Sequence, residues 1–231
     1  MAAGTSSARR AHLALAGELA RRARTRLVSL DYRLAPEHPF PAAVEDGLAA
    51  YRELLQRGAH PADVALAGDS AGGGLAIATL LAAREAGLPM PAAVVVFSPW
   101  ADLTLTGASL ETKHGIDPIF IRSDLEEYRT HYLGRQDPSA PTASPALTDL
   151  AGLPPLLIQV GSNELLLDDA VGLAARAGSD DVDVTLRIWG GLPHVFQHQT
   201  GFVDEAGQAL DHAARFLSQA HDTARSDRPA P

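Results

Sequence analysis

Ser70 lies between two glycines in Gly68-Asp69-Ser70-Ala71-Gly72, a setting that suits a serine to nucleophilic work. In a G-x-S-x-G turn the serine takes unusual backbone dihedrals, so its neighbours two residues away must lack a bulky Cβ. The turn lifts the hydroxyl above a sheet. It also gathers the next N–H groups, beginning with Ala71, around the point where negative charge develops on an attacked carbonyl oxygen. The positive end of the following helix adds to that field. A serine hydroxyl needs a base, and the base needs a partner to orient it. His194 follows the last strand-like run of the chain, and Asn163 and Glu164 follow the run before it, with Asp168 and Asp169 close behind. Such a set performs acyl transfer: Ser70 attacks a carbonyl, and His194 takes the hydroxyl proton and returns it to the leaving group.

Strands must end just before each of these groups. Val64–Ala67 reads as a short buried strand, and Leu75 to Ala83 as a buried helix behind the serine. Ala92–Phe97 is a continuous apolar run of the kind found in a parallel strand covered on both faces. Leu156–Val160 is another. Val182, Val184, Leu186 and Ile188 alternate as a last strand, and Leu27–Leu30 is a fifth candidate. Helices are expected over Ser7–Arg26, with Leu13, Ala16, Leu19 and Ala20 inward and Arg9, Arg10, Arg21 and Arg22 solvated. Further helices are expected over Ala42–Gln56, about Asp168–Ala177 and about Asp204–Gln219. Residues from about 100 to 153 are loop-rich and read as a lid or pocket wall. They hold one helix, for which Ser123 and Glu126 offer a capping box and Leu125, Tyr128 and Tyr132 an inward face. Alternating strands and helices with buried strands imply an α/β fold, with a mostly parallel sheet covered by helices on both faces. Ligands then bind beyond the carboxyl ends of the strands, where Ser70, Asn163 or Glu164, and His194 can converge. Residues 1–220 are expected to form one domain and 221–231 a frayed tail.

The 231 residues, 46% of them hydrophobic, suffice for a sizeable core. A formal net charge of −9 argues against a general attraction to nucleic acid or anionic membranes. The absence of cysteine excludes disulfides and thiolate metal sites. No apolar run is long enough to span a bilayer, and Met1–Arg10 lacks an apolar signal core, so a cytoplasmic location is expected.

The motifs together resemble the hormone-sensitive-lipase-like group of α/β-hydrolases, the bacterial carboxylesterases. The matching pieces are Asp31-Tyr-Arg-Leu-Ala-Pro-Glu37, Gly68-Asp-Ser-Ala-Gly-Gly73, Ser98-Pro-Trp100, Leu153-Pro-Pro-Leu-Leu-Ile-Gln-Val-Gly161 and Pro193-His194. The resemblance implies Ser70 as nucleophile, His194 as general base, small esters of short to medium acyl chains as substrates, and no cofactor or metal. Two departures stand out. The group has aspartate where this chain has Asn163, leaving Glu164, Asn163 itself, or Asp168 or Asp169 as the group that orients His194. The group also has a His-Gly-Gly-Gly oxyanion loop, and no His-Gly-Gly occurs here. The expectation is therefore a fold lacking the first strands and the N-terminal cap, with weakened catalysis and an open sheet edge that allows self-association. The alternative is a non-catalytic binding protein that keeps an ester or lactone pocket. Of the other histidines, His198 is the nearest competitor to His194. His12, His60, His114, His131, His212 and His221 are expected at the surface.

Overall fold

The computed structural model describes residues 6–226. Four parallel strands lie in the order β1 (Ala65–Asp69), β2 (Ala93–Phe97), β3 (Leu156–Gly161) and β4 (Val184–Trp189). Seven helices accompany them among the described residues: α1 (Ser6–Ala23), α2 (Ala42–Gln56), α3 (Ala71–Glu85), α4 (Ser109–Thr112), α5 (Arg122–Leu133), α6 (Leu167–Ser179) and α7 (Asp204–Ser226).

Both faces of the sheet are covered, and the two-residue repeat of a strand divides the core between them. On β2, Val94 and Val96 pack with Ile77 and Leu80 of α3 and Leu173 of α6. Ala93, Val95 and Phe97 face the other way, onto Leu15 and Leu19 of α1 and Leu210 and Leu217 of α7. The central strands β2 and β3 are buried throughout, whereas the edge strands β1 and β4 are only partly buried. Residues 100–143 form a third layer over the carboxyl ends of the strands. Trp100, Leu103, Leu110, Leu125 and Leu133 pack there against Leu165 and Leu166, at the start of α6. The chain then returns along the α3 and α6 face, where Ala146, Leu150 and Leu153 join the main core before β3 begins.

Several expectations need correction. Leu27–Leu30 forms no strand: it has no regular secondary structure, Leu27, Val28 and Leu30 are exposed, and no strand pairs with the outer edge of β1 among the described residues. An apolar run becomes a strand only when a ladder partner accepts it. In α1 it is Leu15, together with Leu19, that is buried, while Leu13 is exposed. Arg22 is not solvated, since it pairs with Glu18 at 3.0 Å and with Asp211 of α7. The side chains of Arg9 and Arg10 lie outside the described residues. The cap of α5 is not Ser123 with Glu126. The cap lies two residues earlier, at Ile121, and the Asp124 carboxylate accepts from the Ile121 N–H at 3.1 Å. The C-terminal segment is helical through Ser226, held by Arg225 to Asp63 at 2.7 Å and His221 Nδ1 to the Ala62 carbonyl at 3.0 Å. Residues 227–231 lie outside the described residues.

Candidate active site

Each of the four strands delivers one residue to the same edge of the sheet: Ser70 after β1, Ser98 after β2, Glu164 after β3 and His194 after β4. Backbone bonds continue across this rim beyond the strand ends. Ser70 N–H donates to the Phe97 carbonyl (2.9 Å), Ser98 N–H to that of Gln159 (2.7 Å), and Ser162 N–H to that of Trp189 (2.9 Å).

Ser70 has φ 53° and ψ −124°, a strained combination for a residue with a Cβ. Such strain persists where the surroundings over-determine it. Here the Ser70 carbonyl accepts from Gly73, Gly74 and Trp100 N–H groups at 3.0–3.2 Å while its own N–H is held by Phe97. A Cβ on Gly68 would collide with the Gly72 carbonyl, and one on Gly74 with the Trp100 carbonyl. Gly72 behaves otherwise: a Cβ there would meet open space, so the motif's second glycine is not required by packing. Ala71 opens α3, and its N–H belongs to the first turn, where no intrahelical acceptor is in reach.

Of the candidate groups that follow β3, Glu164 is the one whose side chain meets the imidazole of His194. Glu164 Oε2 lies 2.8 Å from His194 Nδ1, with Glu164 fully buried and His194 9% exposed. The other carboxylate oxygen accepts from Ser98 Oγ (2.8 Å) and from the Gly161 N–H (2.7 Å). Because a carboxylate only accepts, it holds the proton on Nδ1 and leaves Nε2 with a free lone pair. Among the described residues His194 Nε2 is buried and has no hydrogen-bond partner, Ser70 included. Such bonds often tighten only once substrate is present. Phe120, from the overlying layer, packs edge-on against the His194 ring with centroids 5.0 Å apart.

The remaining candidates are placed elsewhere. Asn163 is half-buried and donates from Nδ2 to the Gly191 carbonyl at 3.2 Å, bracing the β3 loop to the His194 loop. Asp168 accepts from the Ser109 N–H (2.8 Å). Asp169 accepts from the Ala101 and Asp102 N–H groups (2.9 and 2.8 Å). Both fasten the overlying layer and neither reaches His194.

Ser98 carries no chemical signal within Ser98-Pro-Trp100, and its contacts appear only in three dimensions. It sits at φ 45° and is wholly buried, donating to Glu164 and accepting from the Val195 N–H at 3.1 Å. It thereby ties the acid to the loop of the histidine. Asp117 does similar work from the overlying layer, accepting from Ile119 (2.7 Å), Phe120 (3.2 Å) and Leu165 (2.8 Å) N–H groups. Among the other histidines, His60 and His114 are exposed as expected. His12, His131, His212 and His221 are half-buried.

A family model described as "alpha/beta hydrolase fold" matches residues 3–198. The chain belongs to this family. It is 47% identical over 209 residues to an acetyl-hydrolase of Streptomyces hygroscopicus, covering 90% of this chain and 70% of that protein. It is 39% identical over 208 residues to an esterase of Acinetobacter venetianus, with 90% and 69% covered. Among solved structures, an esterase from the bacterial hormone-sensitive lipase family superposes with a TM-score of 0.89 at 48% identity, covering 91% of this chain and 71% of that one. An esterase/lipase from an uncultured bacterium gives the same TM-score at 45% identity.

The site of this α/β-hydrolase opens beside a cavity against the first turn of α3, walled by Tyr32, Ala71, Trp100, Leu103, Tyr132 and Ala143. The wall is mainly apolar and aromatic, as small-molecule pockets are. Among the described residues no helix is long and apolar enough to cross a membrane.

The clamp made by Asp169 has a titration consequence. Burial pushes its carboxyl up to about 8, although the Asp102 and Ala101 N–H groups draw it down. The folded pKa then lies above the unfolded one. Between about pH 4 and about pH 8 the folded chain keeps a proton that the unfolded chain has released, so stability falls as pH rises through that window. The expected slope from this one group is about 1.4 kcal/mol per pH unit. Urea unfolding of the wild type and of Asp169→Asn at pH 5 and pH 8 measures it: the wild type should lose more stability than the variant between the two values.

Proposed function

We propose that this hydrolase cleaves carboxylic esters of short to medium acyl chains through an acyl-enzyme on Ser70. His194 serves as base and then acid, and Glu164 orients it. The carrying observation is the 2.8 Å contact between Glu164 and His194 Nδ1, which leaves Nε2 buried and unpartnered at the rim that bears Ser70. In the proposed reaction Ser70 Oγ bonds to the ester carbonyl carbon as its proton passes to Nε2. The first-turn N–H groups of α3, beginning with Ala71, receive the oxyanion. Nε2 then protonates the departing alcohol, and a water takes the same route to free the acid. The names of the relatives, acetyl-hydrolase and esterase, support the same reaction class.

Aromatic walls at Tyr32, Trp100 and Tyr132 favour a compact acyl or alcohol group over a long chain. Among p-nitrophenyl esters from acetate to dodecanoate, kcat/KM is expected to peak at acetate to hexanoate and fall at least tenfold by dodecanoate. Each methylene that finds no apolar wall forgoes about 0.8 kcal/mol of burial. A maximum at dodecanoate would overturn the assignment of chain length while leaving the serine chemistry standing.

A further inference from the structure

A second cluster of chemistry-bearing side chains lies one residue before the nucleophile. His12 of α1, Asp69 at the end of β1, and His198 in the turn after His194 come together from three distant parts of the chain. His12 Nδ1 is 3.0 Å from Asp69 Oδ2 and 3.2 Å from Oδ1, and His198 Nε2 is 3.5 Å from Oδ2. One ligand atom from each residue lies within 4.8 Å of the others. The two imidazoles meet edge to face with centroids 5.2 Å apart. Asp69 Oδ2, between the two ring nitrogens, is buried without a well-formed hydrogen bond.

The two separations to Asp69 Oδ2 fit a coordination shell. Tetrahedral ligands about 2.1 Å from a zinc ion stand about 3.4 Å from one another, and the contacts to Oδ2 are 3.0 and 3.5 Å. Two imidazoles and a carboxylate form a donor set suited to first-row divalent ions. The side chains of His12 and His198 are 42% and 26% exposed, which leaves a way in and room for a water ligand. We infer that His12, Asp69 and His198 form a binding site for one divalent transition-metal ion of the zinc type, separate from the ester-cleaving residues. The bound ion would brace α1 and the turn that follows His194 to the strand end carrying the serine. It would therefore stabilise the folded chain by mass action. Nothing in this inference depends on the chain cleaving esters.

The test uses tag-free full-length chain stripped with EDTA and titrated with Co²⁺ as the spectroscopic probe. Saturable binding of one equivalent is expected, with the visible absorption of a low-coordinate cobalt site, displacement by Zn²⁺ and a rise in Tm. His198→Ala alters an exposed turn and should weaken Co²⁺ binding at least ~100-fold, since even changes to groups behind the ligands cost 10–100-fold. The His12→Ala/His198→Ala double variant should abolish the cobalt absorption. Ser70→Ala should retain it, showing that the serine is not a ligand. Lack of stoichiometric binding to the wild type, or binding that survives in the double variant, would overturn the inference.

Discussion

Ser70→Ala is expected to lower kcat/KM for p-nitrophenyl butyrate by about 10⁴-fold or more and to abolish covalent capture by a fluorophosphonate probe. The size of the effect follows from the absence of a substitute nucleophile. The chain has no cysteine, and the neighbouring Ser98 hydroxyl is buried and engaged by Glu164 and Val195. The fold should survive, because among the described residues no hydrogen bond of the Ser70 hydroxyl supports it. The strained turn is held by backbone groups, through the Ser70 N–H to Phe97 and three donors onto its carbonyl. Unfolding free energy within about 1 kcal/mol of the wild type is therefore expected. A variant that stays folded and keeps more than a tenth of the activity would show that another group does the chemistry. A wild-type chain that neither turns over esters nor takes the label would favour a binding protein built on the same fold.

The features readable in the sequence are those that local pattern decides. The elbow at Ser70 combines a small-residue strand, a glycine-flanked serine and a buried helix, all within adjacent residues. β2 announces itself by uninterrupted burial, and the structure bears it out at Ala93–Phe97. Leu27–Leu30 has the same local character, yet whether it becomes a strand depends on a neighbour, which composition does not reveal. The start of α5 is ambiguous for a different reason. Asp124 and Glu126 both follow possible cap positions by three residues, and only the Ile121 N–H selects between them. The contacts of Ser98 and the pairing of His12 with Asp69 leave no local pattern, since they join residues 66 and 57 positions apart. Of the motif glycines, Gly68 is required by a backbone clash, whereas Gly72 is not. A pattern match alone weighs the two equally.

Glu164→Gln is expected to cost about 10³- to 10⁴-fold in kcat, whereas Asn163→Asp is expected to change kcat/KM by less than about threefold. Sequence alone leaves the two positions undecided, because a shift of one residue exchanges them. The structure separates them by what surrounds each group. Two donors, Ser98 Oγ and the Gly161 N–H, point at Glu164 Oε1. In a glutamine, the amide oxygen must take that position, because an NH₂ there would face two donors. The NH₂ is then forced towards His194 Nδ1, where it can only donate. Nδ1 becomes the acceptor, the ring proton moves to Nε2, and the nitrogen meant to receive the serine proton is already occupied. The loss thus arises from the wrong tautomer, with the site otherwise in place, and the matching exchange of an acid for its amide in a serine protease costs about 10⁴ in kcat. Asn163 is half-buried and its amide engages the Gly191 carbonyl in an exposed hydrogen bond, with no hydrogen bond to His194 among the described residues, so a charge placed there is partly screened and does not hold the imidazole. Steady-state kinetics of both variants on the same ester decide the matter. A large gain from Asn163→Asp, with Glu164→Gln unimpaired, would move the orienting role to residue 163. It would require the β3 loop to rearrange by one residue when substrate binds.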